Sequence, residues 1–215
     1  MIRNDYIMKM IAQLVKALQQ ILKLKESGRH DDAMREIDQA MQRICGLNSL
    51  LVNTLTEESL AATLRGGATI DHGKCIVLAG LLKEEGDIFK ARGLDDESFA
   101  RYHKALYLYL EAFTSEEELR LPDYSEKIAE LVGELEDYVL PRATMARLVR
   151  YYEREGDFAA AEDAVDLLLE EDDSAEARAI ARELYERLLE RSDAELDAGN
   201  LTRDEVREGL ARVSA

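Results

Sequence analysis

The spacing of apolar residues along the chain predicts helices almost from end to end. In residues 1–27 the apolar side chains recur every three or four positions, which places them on one stripe of a long helix that ends at Gly28. No stretch alternates as a half-buried strand would, so we expect an all-α fold. The members of the first stripe are Ile7, Ile11, Leu14, Leu18 and Ile21 or Leu22, with Met10 and Val15 beside them.

The same period, together with residues that start and stop helices, predicts ten further helices. Thr56 is expected to cap one of them, and Pro141 is expected at the first position of another, where its missing amide proton costs nothing. The predicted ranges are 31–43, 48–54, 56–64, 70–92, 95–113, 123–138, 141–156, 158–169, 174–196 and 202–213, with a connector at 115–122.

Three helix-ending glycines begin a repeated pattern. Five, nine and twelve residues after each glycine stand a small residue, a large one and a small or apolar one. The small residue lets the second helix approach the first closely, and the large one fills the groove a turn later. Each glycine therefore predicts a pair of antiparallel helices. The sets are Ala33, Ile37 and Ala40 after Gly28; Ser98, Tyr102 and Ala105 after Gly93; and Ala161, Val165 and Leu168 after Gly156.

These residues resemble the tetratricopeptide repeat, a helix-turn-helix unit with a turn glycine followed by a small, an aromatic and a small residue. Gly86 and Phe89 match the close-packing glycine and the aromatic of that family's first helix, and Leu148 and Tyr152 hold comparable places. The resemblance implies an all-α, tetratricopeptide-like right-handed stack of roughly five antiparallel helical hairpins, in a single helical-repeat domain over residues 1–215. The glycines are 65 and 63 residues apart, against a family repeat of about 34, so the repeats are degenerate and extra helices lie between them.

The N-terminal sequence carries a second resemblance. The run DYIMKMIAQL, followed by GRHDDAMREIDQA, is similar to the start of an uncharacterised bacterial family. This similarity implies a bacterial origin and a helical-repeat fold, and it carries no known activity.

Charge is distributed unevenly along the chain and argues against nucleic acid as a partner. The formal net charge is −17; residues 1–66 are near neutral, with 9 basic and 8 acidic side chains, whereas residues 67–215 are acidic. Affinity for nucleic acid depends mostly on Lys and Arg, which displace counterions from phosphates. We interpret the acidic excess as a source of solubility and of pairs within helices.

The composition predicts a cytoplasmic protein without integral membrane association. Two cysteines, Cys45 and Cys75, are too few for a disulfide framework and are expected to be buried and reduced. The N-terminus lacks the uninterrupted apolar core of a signal peptide, and no segment reaches the ~18 consecutive apolar residues that span a bilayer.

The stretch RGGATIDHGKC, residues 65–75, offers the best candidates for chemistry, and we interpret it as a loop entering a helix. The phosphate-binding consensus needs a glycine at position 68 and a hydroxyl at position 75, where this chain has Ala68 and Cys75. Asp71, His72 and Cys75 could form a thiol-dependent site, but Cys75 is better explained as the start of an apolar stripe. We therefore expect no enzyme, with a small thiol-dependent enzyme as an alternative, and no ordered phosphate beside Lys74.

Acidic runs could in principle bind a hard cation, but they lie at turns and helix starts and match no calcium-binding loop. Carboxylates in such places cap exposed amide groups. We expect no metal and no cofactor. The runs are residues 84–85, 95–97, 116–118 and 170–173.

The tetratricopeptide resemblance also implies a binding groove, formed by the inner face of each first helix. Basic groups in a groove of an acidic protein could hold an acidic peptide or a terminal carboxylate. The expected function is therefore a non-enzymatic protein-interaction scaffold or adaptor that binds a peptide or protein partner. Matching the turn glycines places Lys83, Asp87 and Lys90 in this groove, with Arg150, Glu153 and Arg154 in the next unit.

The first helix supports two alternatives. Residues 1–25 carry Arg3 and four lysines against Asp5 alone, along a continuous apolar stripe. Such a helix could lie on an anionic membrane surface or on the acidic part of a second copy. The second possibility makes the protein a structural homodimer that uses its N-terminal helix.

Overall fold

The computed structural model describes residues 2–66, 69–113 and 124–214, and it confirms the all-α prediction. One short exception, which the sequence pattern did not indicate, is an antiparallel ladder between β1 (Arg65–Gly66) and β2 (Thr69–Ile70). The predicted connector at 115–122 lies outside the described residues. The helices are α1 (Ile2–Glu26), α2 (His30–Cys45), α3 (Ser49–Thr54), α4 (Glu57–Thr63), α5 (His72–Ala91), α6 (Asp95–Phe113), α7 (Ser125–Glu134), α8 (Arg142–Glu155), α9 (Phe158–Glu171), α10 (Ala175–Leu189), α11 (Asp193–Ala198) and α12 (Arg203–Ser214).

The single helix predicted over 174–196 is wrong, because the chain breaks there into α10 and α11. Ser192 starts the second helix: its hydroxyl accepts a hydrogen bond from the Glu195 amide, while the Glu195 carboxylate accepts one from the Ser192 amide. This capping box satisfies two amide groups that a continuous helix would have bonded internally. The apolar period continues across the break, so the period alone predicts one helix.

Contacts between Cα atoms divide the chain into two compact units, residues 1–138 and 139–215. The boundary falls just before Pro141, which precedes the first residue of α8 as its N-cap. The single domain expected over 1–215 stays a prediction, and each unit is described by itself.

Helix α5 is the centre of the first unit. Fourteen of its residues are buried, and it packs against α1, α2 and α6. A helix that is apolar almost all round must be covered on every side. The surfaces that cover α5 are the apolar stripes of its neighbours, including Ile7, Leu14 and Ile21 of α1 and Ile37 of α2.

The three turn glycines adopt the left-handed conformation that the predicted turns require. Gly28, Gly93 and Gly156 have φ of 69°, 69° and 77°. After each glycine, the next amide reaches back five residues to a helix carbonyl, as in the bond of 2.8 Å from Arg29 N to Leu24 O. The residues of the repeated pattern are buried in all three pairs, so the prediction of close antiparallel packing is confirmed for α1–α2, α5–α6 and α8–α9.

Gly86 allows the closest approach of α5 and α6. A Cβ atom at this position would lie 2.5 Å from a ring carbon of Tyr102. The hydroxyl of Ser98 also donates a hydrogen bond of 3.1 Å to the Gly86 carbonyl. The small residue at position 98 and the large one at position 102 therefore have the roles that the sequence pattern assigned to them.

The second unit has its own core. Helices α8 and α9 form one antiparallel pair, and α10 packs against α12. Tyr185 of α10 is fully buried and lies against Gly209 of α12, where a Cβ atom would approach its ring to 2.3 Å. The Ala159 amide donates a hydrogen bond of 3.0 Å to the Gly199 carbonyl, joining the start of α9 to the end of α11.

Candidate interaction site

Lys83 and Asp87, which the sequence assigns to a groove on α5, lie together in a network of ion pairs within the protein. The Lys83 Nζ atom is 3.1 Å from Asp87 Oδ2 and 2.6 Å from Glu130 Oε1 of α7. Lys25 of α1 reaches the same place, with its Nζ atom 2.6 Å from Asp87 Oδ2 and 2.5 Å from Glu84 Oε2. We call Lys25, Lys83, Glu84, Asp87 and Glu130 the α5 ion-pair network.

The pKa of Asp87 and its hydrogen bonds indicate that this network stabilises the packing of helices within the protein. Burial raises the pKa of Asp87, but the hydrogen bond from Lys25 and the charge of Lys83 outweigh it and hold the pKa below its usual range. The Tyr102 hydroxyl donates a further hydrogen bond of 2.9 Å to Asp87 Oδ1. A partner that used Lys83 and Asp87 would have to displace contacts from α1, α6 and α7.

Lys90 is more accessible. Its side chain is 57% exposed and pairs with Glu134 at the end of α7. The hydrogen bond with Glu134 raises the pKa of Lys90. It therefore remains charged at the surface but already has an acidic neighbour on this chain.

The remaining predicted residues belong to the second unit. Arg150 and Arg154 are exposed on α8. Glu153, between them, is bound by the Arg187 guanidinium through two parallel hydrogen bonds, Nε to Oε1 at 2.8 Å and Nη2 to Oε2 at 2.7 Å. Because this paired geometry fixes both side chains, Glu153 joins α8 to α10.

The stretch 65–75, predicted as a loop entering a helix, does enter α5 at His72, but its described residues before the helix include the short strands β1 and β2 and are therefore not a simple loop. Asp71 caps α5, since its carboxylate accepts a hydrogen bond of 3.1 Å from the Lys74 amide. Cys75 is fully buried with a free thiol, and burial raises its pKa well above the usual value. A neutral, enclosed thiol is a poor nucleophile, which weighs against the thiol-dependent alternative. Gly67 and Ala68 lie outside the described residues.

A second group of buried polar residues holds α3 against α5 and α6. Lys104 of α6 donates hydrogen bonds to the carbonyls of Asn53 and Val52, at 2.8 and 3.4 Å. Glu85 of α5 is completely buried, and its Oε2 accepts a hydrogen bond of 3.2 Å from the side-chain Nδ2 of Asn53. Arg101 lies 3.4 Å from the same carboxylate, and burial nevertheless raises the pKa of Glu85. These groups explain how a helix of only six residues is anchored.

The outer face of α1 is different, because it presents apolar side chains to solvent. Met8, Val15 and Leu22 are 50%, 48% and 44% exposed. The sequence left the last position of the buried stripe open between Ile21 and Leu22, and Ile21 is the residue that fills the core. Leu22, and Val15, which was expected beside the stripe, lie exposed on the flank of the helix. Each exposed apolar residue is followed directly by an exposed lysine. The lysines are Lys9, Lys16 and Lys23.

We call these six residues the α1 outer stripe. Two of them contribute to the lining of an open groove of about 680 Å³ between α1 and α2. Arg43 and Glu36 of α2 line the groove, and so do Lys16, Lys23 and three glutamines of α1. Sequence reasoning missed this surface. The signal that could have found it is the repetition of an apolar–lysine pair at 8–9, 15–16 and 22–23.

Other candidate sites have less support. Within residues 2–66, 69–113 and 124–214, no three His, Cys, Asp or Glu side chains are grouped closely enough to hold a metal ion. The acidic run at 116–118 lies outside this range. No helix in the described part of the chain combines the length and the apolar character needed to cross a bilayer.

The fold and these surfaces define an all-helical protein whose exposed α1 outer stripe is the most distinctive candidate for a contact. The chain belongs to a family of unknown function, DUF6483, whose model matches residues 1–215. No curated protein and no solved structure matches the chain.

Proposed function

We propose that this protein is a non-enzymatic interaction scaffold that binds a protein or peptide partner on the α1 outer stripe. The observation that carries the proposal is the recurrence, every seven residues, of a half-exposed apolar side chain followed by an exposed lysine. Exposed apolar side chains in a regular line are a common mark of a contact surface. The proposed setting is the cytoplasm of a bacterium.

The proposal keeps the tetratricopeptide-like stack, but in it the charged residues of α5 serve mainly for packing within the protein. The α5 ion-pair network acts as an internal clamp, since Lys83 and Asp87 already hold α1 and α7. Lys90, Arg150 and Arg154 are retained as candidate contacts because they are exposed. The proposed binding surface is therefore the outside of α1, and the inner face of α5 is not part of it.

The test compares two sets of surface substitutions in the full-length protein. A partner is first identified from the native cell, and its affinity is measured by calorimetry. Replacing Met8, Val15 and Leu22 with serine should weaken binding at least about tenfold, because each change removes roughly 1 kcal/mol or more of apolar burial. The control set, Leu50→Ser and Leu167→Ser, changes side chains that are 78% and 58% exposed elsewhere. Equal affinity for both sets would refute the proposed surface.

A structural homodimer is the second candidate, and the same exposed stripe favours it. Deletion of residues 1–27 would not test it cleanly, because Ile7, Leu14 and Ile21 belong to the core. A clean test is sedimentation of the variant in which Met8, Val15 and Leu22 are replaced by serine, because these side chains lie on the outside of α1. A dimer of the parent protein that dissociates in this variant would support the homodimer over a foreign partner.

A further inference from the structure

We infer that the partner on the α1 outer stripe is an acidic amphipathic helix that runs along α1 in a coiled-coil register. The inference rests on the proposed function, because it names the partner of that same surface. Three features of α1 carry it: the spacing of its exposed apolar residues, the position of its lysines and the absence of partners for those lysines within the described protein.

The spacing of the outer stripe suits a helix better than any other partner. Met8, Val15 and Leu22 recur every seven residues, and Ala12 and Gln19 follow the first two at a distance of four. In heptad terms the three exposed apolar residues occupy d positions, and Ala12 and Gln19 occupy a positions. Residues in a strict repeat of seven drift by ~20° per heptad around a straight helix, and a second helix that crosses with a left-handed twist follows that drift.

The lysines fix the charge of the partner. Lys9, Lys16 and Lys23 each follow a d residue, so they occupy successive e positions. In coiled coils these positions face charged residues of the neighbouring helix and select its orientation and identity. None of the three ammonium groups forms an ion pair with a described residue of this chain. Three carboxylates on the partner would therefore meet cations that are not already engaged.

A second copy of α1 does not fit this surface. In an antiparallel pair the e positions face one another, so the lysines of one helix would lie against those of the other. In a parallel pair they would face the g positions, where Ile11 is buried and Lys25 already pairs with Glu84 and Asp87. Neither arrangement provides a carboxylate.

An anionic bilayer fits less well than a helix. A helix that lies in a membrane buries a broad apolar face. The broad face of α1 is buried against α2 and α5, and the outer stripe offers one line of three half-exposed side chains. A narrow apolar line flanked by lysines matches the contact width of one helix.

The test uses two synthetic peptides of three heptads, both with leucine at a and d, one with glutamate at e and g and the other with lysine. Binding to the full-length protein is measured by fluorescence anisotropy at low and high salt. The glutamate peptide should bind at least about tenfold more tightly than the lysine peptide, as expected for three interhelical ion pairs. The difference should shrink as salt screens the charges.

Two variants identify the residues responsible. Replacing Lys9, Lys16 and Lys23 with glutamine should remove the preference for the glutamate peptide. The same replacement at Arg191 and Arg207, which are exposed elsewhere on the chain, should leave it unchanged. Equal binding of both peptides, or no binding of either, would overturn the inference. So would binding to vesicles of phosphatidylglycerol without binding to the glutamate peptide.

Failure here is distinguishable from failure of the proposed function. If the serine triple variant loses an identified native partner but the glutamate peptide does not bind, the interaction surface stands and the acidic helix is wrong. If the native partner binds the serine variant normally, the proposed function itself fails.

Discussion

At position 86 the chain has no side chain, and the ring of Tyr102 occupies the space where one would be. The two residues are in helices that approach closely, and the ring is almost completely buried. A single added methyl group therefore has no room. This contact gives the sequence pattern its physical meaning, because the large residue of one helix needs a small residue opposite it.

Gly86→Ala should destabilise the first unit by about 1–3 kcal/mol, the usual cost of overpacking a core. The measurement is the free energy of unfolding in urea. Gly133→Ala is the matched control: Gly133 is also helical, but an added Cβ there would meet nothing within 4 Å. That change should be neutral or stabilise by up to about 1 kcal/mol, because alanine favours helix. Equal effects of the two changes would contradict the packing argument.

Glu85 should make stability depend on pH. Its pKa is raised in the folded protein, so the folded state retains a proton that the unfolded state has lost. The free energy of unfolding should therefore fall as pH rises from about 4.5, the ordinary value for a glutamate, through the folded pKa.

Glu85→Gln removes this titration while it keeps a side chain of similar size. Relative to the parent, the variant should become more stable as pH rises over that interval and then level off. Urea denaturation between pH 4 and 8 measures the difference, with the exposed Glu58→Gln as control for the loss of a carboxylate. A difference that stays constant with pH would show that the Glu85 carboxyl is not held protonated by burial.

At the scale of elements, α1 is held to α5 by charge as well as by apolar contact. Asp87 accepts hydrogen bonds from Lys25 of α1, from Lys83 of α5 and from Tyr102 of α6. One carboxylate thus joins three helices. Loss of its charge should loosen α1 in particular, because Lys25 is the only one of the three donors that α1 supplies.

Asp87→Asn should lower the free energy of unfolding by about 1.5–3 kcal/mol, the range for hydrogen bonds to a charged group. Hydrogen exchange should show the loss of protection first in α1. Asp137→Asn, an exposed aspartate in the same unit, is the control and should have little effect. Unchanged protection in α1 of the Asp87 variant would mean that apolar packing alone holds this helix.

Much of the element order could be predicted from the sequence, for identifiable reasons. Glycine turns and apolar periods are local signals, and they located the three antiparallel pairs. The break between α10 and α11 was missed because the apolar period runs through it, and only the Ser192 and Glu195 side chains interrupt the backbone. The ladder at Arg65–Ile70 is too short to produce a pattern of alternation.

The candidate site was harder to predict than the fold. The resemblance to a family motif correctly predicts that Lys83 and Asp87 lie on one helix, α5. It cannot predict that Lys25 and Glu130, which are distant in sequence, form ion pairs with them. Likewise, Val15 and Leu22 directly follow the buried Leu14 and Ile21, so the apolar period alone does not show that they are left uncovered, and only the repeated apolar–lysine pair indicates it.

At the scale of the whole molecule, the two compact units have separate cores. The second unit packs Tyr185, Leu184 and Val206 within residues 139–215. We expect a fragment of residues 139–215 to fold alone, with helical circular dichroism and cooperative thermal unfolding. Gly209→Ala in this fragment should lower its melting temperature, because the added methyl group would clash with Tyr185. A fragment without a cooperative transition would show that the second unit depends on the first.

The central position of α5 also has a consequence for the order of events during synthesis. Lys25 and Asp87 are 62 residues apart, so a ribosome needs about 3 to 12 s to add the second after the first. During this interval α2 is the main neighbour, among the described helices, that the apolar stripe of α1 can pack against. Once α5 has emerged, it covers α1 and α2 together. We therefore expect the nascent chain to expose, until α5 is synthesised, an apolar face of α1 that the folded protein buries.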